Sequence, residues 1–196
     1  MPRWIELDEL ANLRDVGGVP TTDGGSIAPG RLLRSDNLQT LTDGDVDALL
    51  ALGVTDVIDL RSDYERDAEG PGPLTKTDVV HHPHSFFQEW REGVGENKDE
   101  AVAEERPETI PDQALPWVGV EPTVALENEV AGVYLSYVVD RPDSVVAGLR
   151  HVAGAEGAAL VHCAAGKDRT GTLVALALTL AGADREAVID DYAASS

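Results

Sequence analysis

The feature that most constrains the fold lies near the end of the chain, where an apolar run leads into a loop of small residues and then into a longer apolar segment. Residues 158–161 have the length of a buried strand, and residues 172–180 have the composition of a buried helix. The pattern therefore predicts a strand, a loop and a helix in direct succession. Such a loop directs backbone N–H groups and the positive end of the helix dipole at one point, which is an anion site.

The single cysteine of the chain lies in this loop. Five residues separate Cys163 from Arg169, and this spacing lets the loop curl around a phosphate-sized anion while the guanidinium binds two of its oxygens. Cys163 would then lie beneath phosphorus as an in-line nucleophile. A free thiol is only a few per cent thiolate at neutral pH, and a helix dipole supplies at most ~2 kcal/mol. We therefore expect Arg169 and the loop amides to supply most of the activation.

The loop has three alternative interpretations. A lone cysteine is most often a small buried hydrophobic residue, but the arginine and the following helix favour catalysis. A Walker loop is excluded because no glycine stands five residues before Gly166 and Asp168 occupies the place of the required Ser or Thr. A rhodanese-type sulfurtransferase has no need for Arg169 and Thr170 in these places.

Four motifs in a fixed order carry a resemblance to a known family. They are His162-Cys-x-x-Gly-Lys-x-Arg-Thr-Gly171, Asn12-Leu-Arg-Asp-Val-Gly-Gly18, Arg34-Ser-Asp-Asn-Leu38 and Val57-Ile-Asp-Leu-Arg-Ser62. Together they resemble the bacterial tyrosine phosphatase family, which includes a secreted mycobacterial phosphatase with lipid activity. The likeness covers roughly residues 10–66 and 130–194. Residues 85–130 show no match.

The resemblance implies a role for each residue of the loop. Cys163 would attack phosphorus and form a phosphocysteine intermediate, and Arg169 would hold the equatorial oxygens together with the loop amides. His162 would orient the Cys163 backbone, and Thr170 would hydrogen-bond the departing thiolate. The predicted substrate-binding residues of the loop are Ala164, Ala165, Gly166, Lys167 and Thr170. Asn12, Arg14 and Asp15 also match a motif, and we interpret them as structural.

The general acid is less well defined by the sequence. The best-known tyrosine phosphatases use an aspartate on a Trp-Pro-Asp loop, and none of Trp4, Trp90 or Trp117 is followed by Pro-Asp. The resemblance points to Asp168 inside the loop, and Asp59 is a second candidate.

Asp59 and Arg61 end a predicted buried strand, residues 54–60, whose carboxyl end should open on the same crevice as the loop. They either line the substrate pocket or form an ion pair at the strand end. The sequence leaves both alternatives open.

The substrate class is only partly indicated. Lys167 adds a second cation at the loop rim, as a similar Gly-Lys pair does in phosphoinositide phosphatases, although it could merely offset neighbouring acids. We expect activity on phosphotyrosine in proteins, with phosphoinositide as a second substrate. A catalytically silent phosphate-binding module and a phosphatase of small phosphate esters are the alternatives.

Local patterns predict a single α/β domain with a mainly parallel central sheet flanked by helices, and with an N-terminal hairpin that turns at residues 23–25. Capping boxes predict one helix that starts at Thr42 and another that starts at Ser62. The first should bury Val46, Leu49 and Leu50. A later helix should bury Val130, Val133, Tyr134 and Tyr137. The last helix starts near Asp184 and still runs at Ser196, which suggests a truncated helical end.

Residues 85–130 interrupt this periodicity and predict a lid or a flexible insertion. The segment contains Phe86, Phe87, Trp90 and Trp117. These aromatic side chains could face a phenyl ring or a lipid, and the preferred interpretation is that they tie the segment to the core.

Charge and composition limit the partners. The net charge of -21 argues against nucleic acid or an anionic membrane as a standing partner, and no apolar run is long enough to span a bilayer. One cysteine fits a reducing compartment, so we expect a soluble cytoplasmic protein, with secretion without a signal peptide left open. No metal or organic cofactor is implied, since His81, His82 and His84 lack the spacing of a ligand set. The oligomeric state is left open.

Overall fold

The computed structural model describes residues 3–87 and 122–195. Its strands form one sheet in the order β1-β2-β3-β6-β4-β5. Strands β3, β6, β4 and β5 are parallel, and β1 and β2 add an antiparallel edge. The predicted α/β fold with a mainly parallel sheet is confirmed. The strands are β1 (Arg3–Trp4), β2 (Arg14–Asp15), β3 (Leu32–Ser35), β4 (Val54–Asp59), β5 (Val80–Pro83) and β6 (Ala158–His162).

Helices cover both faces of this sheet. They are α1 (Asp43–Ala51), α2 (Asp63–Glu69), α3 (Glu129–Asp140), α4 (Pro142–Gly154), α5 (Asp168–Leu180) and α6 (Arg185–Ala193), with a short 3-10 helix at Pro73–Lys76. None of the helices in the described part of the chain is long and apolar enough to cross a membrane.

The core has two halves because successive residues of a strand point to opposite faces of the sheet. Ile58 and Val161 belong to one cluster, with Tyr137 of α3 and Leu173 of α5. The neighbouring residues Val57 and Leu160 belong to the other cluster. That cluster also contains Leu49 of α1 and Leu74 of the 3-10 helix. Strand β6 is buried on both faces, so whatever follows it is held at the centre of the sheet.

The sequence signals that predicted helix starts and the hairpin turn are confirmed. Capping boxes are formed at Thr42 with Asp45 and at Ser62 with Glu65. The N-terminal hairpin is short: the N–H of Thr21 donates to the Gly25 carbonyl (3.0 Å) on the two sides of the predicted turn. Asp184 caps α6 through the N–H groups of the first turn, which confirms the predicted start of the last helix. The prediction that this helix still runs at Ser196 is wrong, because α6 ends at Ala193 and is capped at Ala194.

Two predictions of buried residues are wrong. Leu50 is 40% exposed, because it stands about 100° around α1 from Leu49, which takes the place in the core. Val130 is 58% exposed, because it lies in the first turn of α3, two turns before the buried Tyr137 on the same side of the helix.

The predicted lid or insertion falls mainly on residues 88–121, which lie outside the described residues, as do Trp90 and Trp117. At its start, Phe86 is buried and packs on Tyr137 with ring centroids 5.9 Å apart. This contact agrees with the interpretation that ties the segment to the core. The lid and the single domain stay predictions.

Candidate active site

The predicted strand, loop and helix are formed by β6, residues 163–167 and α5. The loop turns at Gly166, which has φ of 69°. A Cβ atom at that position would lie 2.5 Å from the carbonyl oxygen of Ser35 and 2.6 Å from the amide nitrogen of Asp36. Only glycine fits such a close approach to the end of β3. The loop is therefore pinned against the neighbouring parallel strand.

The backbone carbonyl groups of this loop are held by donors outside it. The three contacts are Asn37 N to Ala164 O (3.1 Å), Asn12 Nδ2 to Ala165 O (2.8 Å) and Arg34 Nη2 to Gly166 O (2.9 Å). Across a planar trans peptide, the C=O of one residue and the N–H of the next point in opposite directions. The N–H groups of residues 165–167 are therefore turned away from these donors. Together with the N-terminus of α5 they form a nest suited to an anion.

Cys163 lies at the start of this nest, where it is buried and unpaired as a thiol. The preceding residue, His162, places its Nδ1 atom 3.4 Å from the Cys163 carbonyl oxygen and its Nε2 atom 3.6 Å from Asp59. Burial lowers the pKa of His162 to about 4, so its imidazole is neutral at neutral pH. His162 thus contacts the Cys163 backbone as expected, and it adds no positive charge there.

Arg169 is buried and its guanidinium is held in a fixed orientation by Glu65. Its Nη1 and Nη2 atoms donate to the two carboxylate oxygens of Glu65 at 2.6 and 2.8 Å. Burial alone would lower the pKa of Arg169, but the Cys163 thiolate and the Glu65 carboxylate raise it. Burial would likewise raise the pKa of Glu65, and its bonds from Arg169 lower it. The positive charge of Arg169 is therefore secure in the site.

Glu65 is a site residue that the sequence analysis missed. It was assigned only to a capping box, and it does accept the N–H of Ser62 at 2.7 Å. The same carboxylate binds Arg169, which lies 104 residues away. The available signal was position: the capping box directly follows the strand end that was expected to open on the loop.

Asp59 and Arg61 form the ion pair that was one of the two alternatives. The Arg61 Nη2 atom lies 2.7 Å from an oxygen of Asp59, and its Nη1 atom donates to Asn37 (3.0 Å) and Gln39 (3.1 Å). Burial would raise the pKa of Asp59, but His162 and Arg61 outweigh it and lower the pKa to about 2. At neutral pH Asp59 is therefore ionised and paired with Arg61. The assignment of Asp168 as the general acid stays a prediction.

Asp168 is the first residue of α5, and tyrosine hydroxyls hold its carboxyl group. The hydroxyl of Tyr134 donates to Asp168 Oδ1, and the hydroxyl of Tyr192 lies 3.4 Å from the same oxygen and 2.7 Å from that of Tyr134. The sequence pattern placed Tyr134 on a buried helix face and gave no sign of this contact. The half-buried carboxyl is therefore fixed beside the loop.

Two further residues of the loop signature have unused polar groups. The hydroxyl of Thr170 is buried and has no hydrogen-bond partner among the described residues. It is thus available to a thiolate. Lys167 is half-buried, and none of the ion pairs between described residues includes it. Its ammonium group is available to a ligand at the loop rim.

The aromatic and histidine residues near the site have defined contacts. The Phe87 ring lies 5.0 Å from the guanidinium carbon of Arg169, a distance typical of a cation–π contact. His82 hydrogen-bonds Asp56 at 2.8 Å and stacks on His151 with ring centroids 3.7 Å apart. No cluster of three side chains able to hold a metal ion lies within residues 3–87 and 122–195.

An α/β sheet whose central strand ends in an anion nest with a buried cysteine and a buried arginine defines a protein of the cysteine phosphatase type. The model of the tyrosine phosphatase family matches residues 5–196, and this chain belongs to that family. The resemblance recognised from the four motifs is confirmed, as is the expectation of a protein tyrosine phosphatase.

Relatives with assigned names agree with this family. The chain is 33% identical over 207 residues to the triple specificity protein phosphatase PtpB of Mycobacterium tuberculosis, covering 97% of this chain and 68% of that protein. It is 29% identical over 177 residues to a tyrosine-protein phosphatase of Nostoc commune, covering 90% of this chain but only 52% of the relative. A crystal structure of TpbA from P. aeruginosa covers 97% of this chain and 76% of its own, with 18% identity and a TM-score of 0.49.

Proposed function

We propose that this chain hydrolyses phosphotyrosine in proteins through a phosphocysteine intermediate on Cys163. The observation that carries the proposal is the loop itself, with its carbonyl groups held from outside and its N–H groups turned to the opposite side. A buried thiol stands at one end of that nest and a guanidinium held by Glu65 at the other. A nucleophile and oxyanion donors of the kind that phosphoryl transfer needs would thus act on one phosphoryl group.

The reaction would proceed in two steps. The Cys163 thiolate attacks phosphorus, a sulfur–phosphorus bond forms, and the bond from phosphorus to the tyrosyl oxygen breaks as Asp168 gives its proton to that oxygen. In the second step Asp168 takes a proton from water, the water oxygen bonds to phosphorus, and the thiolate leaves with inorganic phosphate as product. Arg169 and the amides hold the equatorial oxygens in both steps. The unpaired hydroxyl of Thr170 would stabilise the departing thiolate.

The first experiment measures turnover of a phosphotyrosine peptide and of para-nitrophenyl phosphate. Cys163→Ser should abolish turnover and keep phosphate binding, because the hydroxyl is a poor nucleophile while the nest is intact. Acid quench during turnover should trap labelled phosphate on the peptide that contains Cys163. An unmodified protein that binds phosphate without turning over either ester at any pH would instead be a phosphate-binding module.

The role of Asp168 can be separated from the rest of the site by varying the leaving group. Asn can still accept the Tyr134 hydroxyl but cannot donate the proton. Asp168→Asn should therefore lower turnover of esters with poor leaving groups by ~10²–10⁴-fold and affect activated aryl esters far less. Asp190→Asn, an exposed change of equal charge on α6, is the control. An equal loss on both kinds of ester would make Asp168 a positioning residue.

A second activity on phosphoinositides is favoured by Lys167, whose half-buried ammonium group is unpaired among the described residues. The relative PtpB is named a triple specificity phosphatase. A head group with several phosphates needs a second cation near the first, and Lys167 would supply it. Lys167→Ala should lower activity on a multiply phosphorylated inositol lipid ~10-fold, the effect of one charge-assisted contact, and lower phosphotyrosine activity much less.

The matched control is Lys76→Ala, which removes an exposed lysine on the 3-10 helix. If Lys167→Ala lowers both activities equally, Lys167 does not select the lipid. If the unmodified protein does not hydrolyse the lipid, the activity is limited to phosphotyrosine.

A further inference from the structure

Two arginines and one aspartate form a buried group behind the loop, which we call the Asp191 cluster. Arg14 and Arg34 are paired neighbours on β2 and β3, and both side chains are fully buried. They share the carboxylate of Asp191 on α6, at 2.9 Å from Arg14 Nε and 2.5 Å from Arg34 Nη1. The hydroxyl of Ser195 accepts from both guanidinium groups, at 2.7 and 3.0 Å. Two positive charges against one negative charge leave an excess of one positive charge.

Of the two arginines, Arg34 reaches the loop. Its Nη2 atom donates to the carbonyl oxygens of Gly166 at 2.9 Å and Lys167 at 3.4 Å. The N–H groups of Lys167 and Asp168 must then point away from Arg34, since they belong to the same two peptide planes. These two amides stand where the loop meets α5. The Lys167 carbonyl also accepts the N–H of Gly171 in α5 at 2.7 Å, so the helix itself sets the direction of the Asp168 amide. The Gly166 carbonyl is held by Arg34, so the direction of the Lys167 amide depends on a side chain that lies outside the loop.

The packing around Arg34 leaves its guanidinium little freedom. A Cβ atom at Gly171 would lie 3.4 Å from Arg34 Nη2 and 2.7 Å from the ring of Tyr192. Helix α5 therefore needs glycine where it passes between Arg34 and α6. Asp191 fixes one end of the guanidinium fork while the two carbonyl groups take the other.

The electrostatic setting of Arg34 connects it to the thiol. Burial lowers the pKa of Arg34, whereas Asp191 and the Cys163 thiolate act in the opposite direction. The bonds of Arg34 to the Gly166 and Lys167 carbonyl groups place its charge against the same short loop that begins at Cys163. The charge of Arg169 is matched by Glu65, so the excess charge of the Asp191 cluster is a separate contribution to the field at the sulfur.

We propose that Arg34 is a positioning residue that turns the amide of Lys167 toward the bound phosphate and stabilises the Cys163 thiolate with the excess charge of the Asp191 cluster. Its effect on the reaction rests on the proposed function. Its effect on thiol reactivity and on phosphate binding does not. Asp191 acts one step further away, by holding the guanidinium in place.

The test compares Arg34→Met and Arg34→Lys with Arg31→Met in the full chain. Arg31 is a matched control because it also donates to two successive carbonyl groups, of Ala155 (2.7 Å) and Glu156 (2.8 Å), but away from the loop. Arg34→Met should fold, because it leaves Arg14 and Asp191 as a balanced pair. Cys163 is the sole thiol, so the pH dependence of its alkylation by iodoacetamide reports on it alone.

Arg34→Met should move the midpoint of alkylation up by about one pH unit, a tenfold change in thiolate at a given pH. It should weaken binding of inorganic phosphate ~10-fold or more, since a charged donor to the loop is lost. Arg34→Lys should keep the midpoint closer to that of the unmodified protein, but it should still weaken phosphate binding, because one ammonium group cannot span Asp191 and two carbonyl groups. Arg31→Met should change neither value.

The proposal is overturned if a folded Arg34 variant matches Arg31→Met in both measurements, because the cluster would then be structural only. If Arg34→Met does not fold, Arg34→Lys decides: unchanged phosphate binding overturns the proposal, and weakened binding supports it. Neither measurement requires turnover. Absence of turnover in the unmodified protein would overturn the proposed function. The role of Arg34 would still be decided by the alkylation midpoint of Cys163 and by phosphate binding.

Discussion

Two buried arginine–carboxylate groups flank the Cys163 loop, and they differ in stoichiometry and in origin. On the β4 side, Arg169 pairs one to one with Glu65 through two bonds, and the arginine lies in the first turn of α5, directly after the loop. On the α6 side, Arg14 and Arg34 share Asp191, and both arginines belong to the sheet. The first group is neutral as a whole and presents its guanidinium beside the nucleophile. The second keeps an excess positive charge and holds the loop backbone from behind.

The comparison indicates that the loop is flanked by arginines in two electrostatic settings, one neutralised by a carboxylate and one with excess positive charge. A one-to-one fork fixes the orientation of a guanidinium without adding net charge. A two-to-one cluster is costly to bury, because one charge has no full partner. Such a cluster is useful where an anion is to be stabilised nearby. In our proposal that anion is the Cys163 thiolate, which the Arg169–Glu65 pair alone would leave with less positive charge nearby.

The largest expected difference between the two groups is in stability. Asp191→Asn leaves two buried guanidinium groups without a carboxylate, and should lower the free energy of unfolding by about 3–5 kcal/mol. Glu65→Gln should cost less, because the Arg169 site can be filled by an anion. Denaturant unfolding with and without phosphate measures both effects. Phosphate should restore much of the loss in Glu65→Gln and little of it in Asp191→Asn, and equal rescue of the two variants would contradict the comparison.

The two groups also differ in how far the sequence could predict them. Strand β6, the loop and α5 were predictable because each depends on residues close in sequence. The same holds for the capping box of Glu65. Asp191 lies 157 residues from Arg34 and 177 from Arg14, and no local pattern relates them. In the sequence, nothing distinguishes Asp191 from the other acidic residues of its helix.

Other features depended on packing that the sequence does not show. The hydroxyl contacts of Tyr134 and Tyr192 to Asp168 require α3 and α6 to meet at the start of α5. The choice between pocket and ion pair at Asp59 and Arg61 depended on Asn37 and Gln39, which supply acceptors from another segment. The sequence placed Asp59, Arg61 and Asp168 near the site. It could not show which side chain takes which partner.

A second prediction concerns acid stability, where the β4 side contains a titratable imidazole. Burial lowers the pKa of His162 from 6.5 to about 4. As pH falls from 6.5 to 4, the unfolded chain takes up a proton that the folded chain does not, so the free energy of unfolding decreases. The slope is about 1.4 kcal/mol per pH unit and the whole effect about 3 kcal/mol. Asp59, with a pKa of about 2, contributes stability that is lost only below about pH 4.

Denaturant unfolding between about pH 4 and pH 7 measures this slope. His162→Gln should reduce the slope by about 1.4 kcal/mol per pH unit, the contribution of one proton. The control is His151→Gln, which removes a half-buried histidine at the end of α4 and should reduce the slope less. If the free energy of unfolding of His162→Gln keeps the full pH slope, the loss of stability in acid arises from other groups. The two sides of the loop would then not differ in acid stability.

The smallest expected effect is the effect of Glu65 on catalysis. It tests the difference between Glu65, which orients the charge of Arg169, and the Asp191 cluster, which supplies an excess charge. Glu65→Gln keeps an oxygen that can accept from Ser62 and from one nitrogen of Arg169, and it removes the negative charge. A charged hydrogen bond is worth about 1 kcal/mol more than a neutral one, so kcat/KM on a phosphotyrosine peptide should fall ~5-fold, while the pH midpoint of Cys163 alkylation should not rise. Glu69→Gln on the same helix is the control, because Glu69 contacts Arg61 at 3.3 Å and makes no contact with the loop. A Glu65→Gln midpoint that rises as far as that of Arg34→Met would show that the two arginine groups act alike on the thiolate.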